Sequence, residues 1–532
     1  MTEVPRPREW WQDGVLYHIY CRSFADANGD GVGDLRGITG RLDHLRWLGV
    51  DGIWLSPVHP SPNRDWGYDV ADYLDVHPEL GTLEDLDELV REAGTRGIRV
   101  LLDLVPNHTS DAHPWFVEAR ASRSGPRREW YVWADPGPDG GPPSNWRSLF
   151  GGGPAWTLDA ATGQYFLHNF LPSMPDLNWW NDEVRSALEG VQRFWYARGV
   201  AGFRIDVCYG LVHDRELRDN PPFTAEDDPH MGGSGQRWVY NLNRPEAHDV
   251  LRAWRALANE QRTRGLLVGE TYMFDLSRLA RFYGEGDELD LGFNFPFLFA
   301  PFHADDLAGV VERTLRALPE QAWPAWTASS HDAGRFPTRW ADGDEALTRC
   351  ALLVLLGLPG TPVLYYGDEI GMPEVALPAE ALRDPLGLLL GPERGRDRGR
   401  TPMQWSARPG AGFTDPGVDP WLPIGDHRGR NVADQREAAD STLRFCRDLL
   451  RLRRALPDLR SPTYEPIEIR DGLWAWRRGA ATAVAVNLSG EAAPLEGVRG
   501  RVLLRTSSGS AEEGSITIGA GEGAVLELSA TI

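Results

Sequence analysis

The 532-residue sequence contains no lysine: all 55 of its basic residues are arginine. That absence excludes chemistry built on a lysine nucleophile, a Schiff base or a phosphate-loop lysine. Cysteine is scarce, with Cys21, Cys208, Cys350 and Cys446 far apart in mostly apolar surroundings. Without a CxxC pair or a neighbouring His cluster they read as buried free thiols, which fits a reducing cytoplasm and excludes a disulfide scaffold. No run of about 18 apolar residues is present, so no membrane span is expected, and the first twenty residues lack the apolar stretch of a secretory signal. Basic runs are missing too, against 77 acidic residues and a formal net charge of -22. Such a chain repels a phosphate backbone, so nucleic acid is not an expected partner. Oligomeric state is not legible.

What is present is ordinary globular material, 42% hydrophobic and 25% charged, with a heavy load of 22 Trp. Short apolar runs alternate with longer amphipathic stretches, the pattern of strand and helix that builds a parallel sheet. Strands are predicted at 15–20, 52–55, 98–104, 202–207, 266–270, 289–294, 326–329 and 362–366. Helices are predicted at 38–48, 83–96, 182–198, 246–263, 275–282, 305–317, 343–356 and 440–455. Eight such pairs close a (beta/alpha)8 barrel, an α/β fold, over 1–106 and 174–456. Residues 107–173, rich in Gly, Pro, Trp and Asn, read as an inserted loop subdomain. A second insertion covers about 370–435. From 457 to 532 short alternating segments with Gly-rich turns read as a C-terminal antiparallel beta domain.

A barrel of this kind carries its site on loops at the carboxyl ends of the strands. There the sequence delivers DLVPNH (Asp103, Asn107, His108), GFRIDV (Arg204, Asp206), GE (Glu270) and SSHD (His331, Asp332). Arg204 and Asp206 lie two apart on a strand and project to one face, where a guanidinium favours the ionised carboxylate. Glu270 follows the apolar LLVG, and burial there would keep it protonated. An acid and a nucleophile on one rim suit the retaining route of glycoside hydrolysis. Taken singly, each residue also has a bland explanation as a cap, a structural ion pair or a satisfied loop histidine; the conjunction favours chemistry.

In order and spacing these four segments resemble the signature of the alpha-amylase superfamily, glycoside hydrolase family 13. WWQDGVLYHIYCRSF, GVDGIWLSPVHPSP, WGYDVADY, MPDLNWWN and DRGRTPMQW extend the resemblance over residues 10 to about 455. They are similar to the alpha-glucosidase and oligo-1,6-glucosidase branch. The resemblance implies Asp206 as nucleophile, Glu270 as general acid/base and Asp332 as transition-state stabiliser. It implies that His108 and His331 bond the same sugar, that Arg204 orients Asp206, and that Tyr68 stacks beneath the ring. Asp69 and Arg400 would close the non-reducing end. Trp66 and Trp179 lie in motifs near the site and are candidate sugar contacts. Ser330 stands where the family usually has Asn, and Val207 is a residue that in relatives often accompanies action on alpha-1,6 links.

One further motif is DANGDGVGD. Asp26, Asn28, Asp30, the Val32 carbonyl and Asp34 fall at every second position, oxygen donors suited to Ca2+, with Mg2+ the alternative. Gly37 holds the twelfth position, so this is not a complete EF-hand, and an acidic turn without an ion is the bland alternative. The expected function is a retaining alpha-glucosidase on short alpha-glucosides. The alternatives are a transglucosylase or a sucrose or maltose isomerase using the same glycosyl-enzyme, and, remotely, an inactive sugar-binding barrel.

Overall fold

A computed structural model describes residues 8–507 and 513–529. Eight parallel strands form one sheet: β1 (Leu16–Ile19), β2 (Gly52–Leu55), β3 (Arg99–Leu104), β4 (Gly202–Ile205), β5 (Leu266–Gly269), β6 (Leu291–Gly292), β7 (Ala325–Thr327) and β8 (Thr361–Tyr365). β8 pairs with both β1 and β7, and a parallel bridge between Phe293 and Ala325 joins β6 to β7, so the sheet closes into the expected barrel. The alternation of each strand divides its residues between two cores. Leu16, Trp54, Leu101, Val268, Leu291 and Val363 cluster together on one side. Tyr17, Ile53, Leu102, Phe203 and Leu364 cluster with the surrounding helices on the other.

The helices are α1 (Leu35–Leu48), α2 (Leu83–Thr95), α3 (Asp182–Ala197), α4 (Ala247–Asn259), α5 (Leu276–Arg281), α6 (Ala304–Ala317), α7 (Glu345–Gly357) and α8 (Thr442–Ala455). Side chains one residue ahead of the helix fix several starts by accepting backbone N–H groups: Thr82 for α2, Asn181 for α3, Asp344 for α7 and Ser441 for α8. α7 is apolar nearly all round because it is covered twice, by the barrel and by the C-terminal sheet.

The segment between β3 and α3 is more than loop. It holds a three-stranded antiparallel sheet, with Gln164–Leu167 between Trp133–Ala134 and Trp156–Asp159, and a helix at Pro114–Arg120. Six antiparallel strands from Glu465–Arg470 to Glu522–Leu528 form the C-terminal sheet. The Trp476 indole and the Arg478 guanidinium both donate to the Gly357 carbonyl at the end of α7, tying this sheet to the barrel. Among the described residues no helix is long and apolar enough to cross a membrane, and the four cysteines are buried and unpaired.

Candidate active site

The parallel register sets the site. Asp103 on β3 pairs with Arg204 on β4, and the ladder continues one step past the strands as Asp206 N–H donates to Leu104 and Glu270 N–H to Ile205. Arg204 thereby becomes the hub of a buried cluster. Its Nη1 donates to Asp103 (2.8 Å) and Asp206 (2.6 Å), and its Nη2 lies 2.9 Å from Glu270 Oε2. Val207 sits in the left-handed region at φ 44°, a strained conformation for a β-branched residue. That turn directs its N–H onto Glu270 Oε2 at 2.9 Å.

Arg204 bonds Asp206 as expected, and the same guanidinium also faces Asp103 and Glu270. Burial pushes the Asp206 carboxyl well up, Arg204 opposes this, and Glu270, Asp103 and Asp332 add to the rise. Asp103 is raised to about 6, again by burial against Arg204. The cluster therefore favours holding a proton over full ionisation.

Asp332 differs. Its side chain is 37% exposed into the cavity and accepts from Arg396 (3.2 Å) and Arg400 (3.1 Å). Burial would raise it, but those two guanidinium groups and Arg204 hold it below the usual carboxylate range. His331 Nε2 lies 3.1 Å from Asp332 and 2.6 Å from the Tyr68 hydroxyl, and its ring stacks parallel on Tyr68 at 5.3 Å. Burial keeps His331 and His108 neutral, His108 at about 4. Ser330 accepts the N–H groups of Asp332 and Ala333, so the smaller residue in the usual Asn place holds the turn that presents Asp332.

Tyr68, His108, Asp206, Val207, Glu270 and Asp332 all line one cavity of about 320 Å³, whereas Arg204, His331 and Arg400 support it from behind. Asp69 does not reach it, which corrects its assignment to the closed end. Its carboxylate is fully buried, accepting from Ser61 Oγ (2.6 Å) and from the Arg64 and Asp65 amides (3.0 Å each). Those bonds shape the loop that turns Asp65, four residues earlier, into the cavity. Arg396 lines the cavity beside Asp65, bonded to Asp65 at 2.5 Å, to Asp384 at 2.6 Å and to Asp332. Asp65 and Arg396 are thus cavity residues beyond the sequence-based expectations, each lying one residue ahead of a motif that carries the resemblance, WGYDVADY and DRGRTPMQW. Arg400, fully buried, donates to the His331 carbonyl and to Asp332.

Neither Trp66 nor Trp179 lines the cavity. Trp66 packs against Trp421 and donates to the Arg383 carbonyl; Trp179 is core, packed on Trp254 and bonded to the Pro106 carbonyl. The aromatic walls come instead from Phe150 and Phe170 of the inserted segment and from Trp238, Tyr272, Phe295 and Phe299.

In the loop after β1 the acidic oxygens face backbone amides. Asp26 accepts from Gly29, Gly31 and the Thr414 hydroxyl; Asp30 accepts from Val32 and from Asn28; Asn28 accepts from Asp30. Asp34 accepts from Ala27, Asn28 and Gly37, the last as N-cap of α1. Gly37 is required by close approach, since a Cβ there would lie 2.0 Å from the Ala25 carbonyl oxygen. Among the described residues no three His, Cys, Asp or Glu side chains are grouped so as to hold a metal ion.

Comparison with known proteins agrees with this architecture. Residues 18–461 match the family model described as alpha amylase, catalytic domain. A probable alpha-glucosidase of Rhizobium meliloti (strain 1021) is 45% identical over 509 residues, covering 92% of this chain and 91% of that protein. An oligo-1,6-glucosidase of Heyndrickxia coagulans is 37% identical, covering 86% of this chain and 87% of that protein. The crystal structure of an alpha-glucosyl transfer enzyme superposes with a TM-score of 0.91 at 39% identity, covering 98% of this chain and all of that one. Barrel, strand-end carboxylates and family match together place the chain in the alpha-amylase family of glycoside hydrolases.

Proposed function

We propose that the protein is a retaining alpha-glucosidase that releases glucose from the non-reducing end of short alpha-glucosides. The observation carrying this reading is the carboxylate pair on one guanidinium, lining the cavity that Asp65, Asp332 and Arg396 also line. Two carboxylates held by the terminal nitrogens of one arginine stand close together, as the retaining route, with its separation of about 5 to 5.5 Å, requires. In this reading Asp206, 2.6 Å from the Arg204 guanidinium, is the nucleophile and Glu270 the general acid/base.

Asp206 attacks the anomeric carbon as the bond to the leaving oxygen breaks, and that oxygen takes the Glu270 proton. Water, deprotonated by Glu270, then releases glucose with its original anomeric configuration. Asp332, held ionised by Arg396 and Arg400, grips hydroxyls of the same sugar; Tyr68 lies beneath the ring, with His108 and His331 beside it. Asp65 and Arg396 close the non-reducing end, and Arg400 acts through Asp332.

The likeness to an alpha-glucosyl transfer enzyme supports a second reading, in which another sugar or alcohol replaces water at the glycosyl-enzyme. A panel of maltose, isomaltose, sucrose and maltotriose, followed by NMR of the first product formed, tests both. Alpha-glucose as the first sugar released is expected, with oligosaccharide products growing as substrate concentration rises. Release of beta-glucose would overturn the retaining mechanism.

We also propose that the loop after β1 binds Ca2+, with Mg2+ the alternative, through Asp26, Asn28, Asp30, the Val32 carbonyl and Asp34. The donor chemistry supports it, since Asp26 Oδ1, Asp34 Oδ1 and both Asp30 oxygens each accept a single hydrogen bond and retain a second lone pair, while Asp26 Oδ2 and Asp34 Oδ2 each accept two. A cation there is structural, tying the loop to the segment at Thr414 and Trp421 that it already touches. Chelation with EDTA is expected to lower Tm by about 4 °C or more, with recovery on adding Ca2+. Unchanged melting together with metal-free protein on elemental analysis would exclude the site. The four buried free thiols support a cytoplasmic location.

A further inference from the structure

A second cavity, of about 370 Å³, lies where α1 ends and the chain turns through Gly49 toward the start of β2. It is therefore on the face of the barrel opposite the strand ends that carry the active site. α8 forms its other wall, and Arg447 Nε ties the two by donating to the Trp47 carbonyl at 3.2 Å, across 400 residues of sequence.

Four arginines line this cavity, Arg46 from α1 and Arg447, Arg451 and Arg454 from α8, against a single acid, Asp43. Asp43 is taken by Arg96 at 2.8 Å, and Arg454 by Asp51 at 2.7 Å. Among the described residues Arg46, Arg447 and Arg451 form no ion pair, in a chain whose net charge is -22. Helix carboxyl ends do not account for all of them, since Arg447 and Arg451 precede the last turn of α8. Arg436 and Arg447 lie 4.2 and 4.3 Å from the Trp47 ring, contacts that hold both guanidinium groups in place. Burial lowers the Arg447 guanidinium, and Arg451, Arg444 and Arg436 add to the fall against Asp448. A bound anion would relieve that repulsion.

Unpaired guanidinium groups present planar forks of donors that suit an oxyanion with several oxygens. A carboxylate brings one charge and two oxygens, whereas a phosphoryl group carries about -1.5 to -2 at pH 7 and three acceptor oxygens. Trp47, Leu48 and Leu450 supply the apolar part of the lining.

We propose that the cavity between α1 and α8 binds a phosphoryl dianion, as free phosphate or on a small monoester, through Arg46, Arg447 and Arg451. The fold gathers here a basic site that no run of the sequence contains.

The test is titration calorimetry at matched ionic strength with inorganic phosphate, glycerol 3-phosphate and acetate. Saturable binding of both phosphates, and none of acetate, is expected. Tighter binding of glycerol 3-phosphate assigns the site to a monoester, and tighter binding of inorganic phosphate assigns it to the free ion. The double variant R46E/R451E, at two exposed positions, is expected to weaken phosphate binding about tenfold or more. The charge-matched R262E/R499E, at exposed arginines outside the cavity, should leave it as it is.

Absence of saturable phosphate binding, or acetate binding as tightly, would overturn the proposal. Equal weakening in the two double variants would also overturn it, because only overall charge would then be felt.

Discussion

Asp206→Asn is expected to lower kcat on maltose by roughly 10⁴-fold, about 5.5 kcal/mol of transition-state stabilisation, while leaving the protein folded. The amide cannot form the glycosyl ester, so the double displacement has no first intermediate. Removing a buried ionisable group from a cluster that already resists full ionisation should not cost stability. Arg204 retains Asp103 and Glu270 as partners, and burial favours the uncharged form at position 206 in any case. The expected pair of results is therefore abolished turnover with a melting temperature equal to or above that of the parent. Activity within tenfold of the parent in a folded variant would remove Asp206 from the nucleophile's role.

Glu270→Gln has the second-largest expected effect, and its signature depends on the leaving group. On maltose, whose leaving glucose needs a proton, a loss of about 10² to 10⁴-fold is expected. On 4-nitrophenyl alpha-glucoside the first step needs no acid, so the loss there should be smaller. Glycosyl-enzyme should then accumulate because water lacks its base, and added azide, a nucleophile that requires no deprotonation, should speed turnover. The limb of the pH profile that reports loss of the acid proton should disappear. Equal losses on both substrates, with no azide response, would assign Glu270 to holding Arg204 and the Val207 amide rather than to proton transfer.

Much of this site was legible because a parallel barrel converts sequence position into spatial position. Residues at the carboxyl ends of successive strands share one rim, so DLVPNH, GFRIDV, GE and HD could be brought together from apolar runs alone. Helix positions were equally local, fixed by periodicity and by caps such as Thr82, Asp344 and Ser441.

The misplacements fall in loops. Asp65 and Asp69 lie four apart in one loop, and which of them faces the cavity depends on which backbone amides the other satisfies. Asp69 takes three donors from within its own loop, leaving Asp65 to meet Arg396. Arg396 and Arg400 likewise share one arginine-rich stretch, and only packing puts the first in the cavity and the second behind Asp332. Trp66 and Trp179 looked like sugar contacts by neighbourhood and proved to be packing, whereas the aromatic wall assembles from three loops distant in sequence.

The sequence by itself determined the barrel, the strand-end carboxylates and the absence of lysine chemistry, because strand alternation and residue type are local properties. Only the tertiary structure decided that one guanidinium would be shared by Asp103, Asp206 and Glu270. It also decided that burial would outweigh Arg204 at Asp206, and that aromatic side chains from separate loops would line the same cavity as Asp65, Asp332 and Arg396. Desolvation and partner sharing are set by everything that surrounds a group, and no window of sequence contains that.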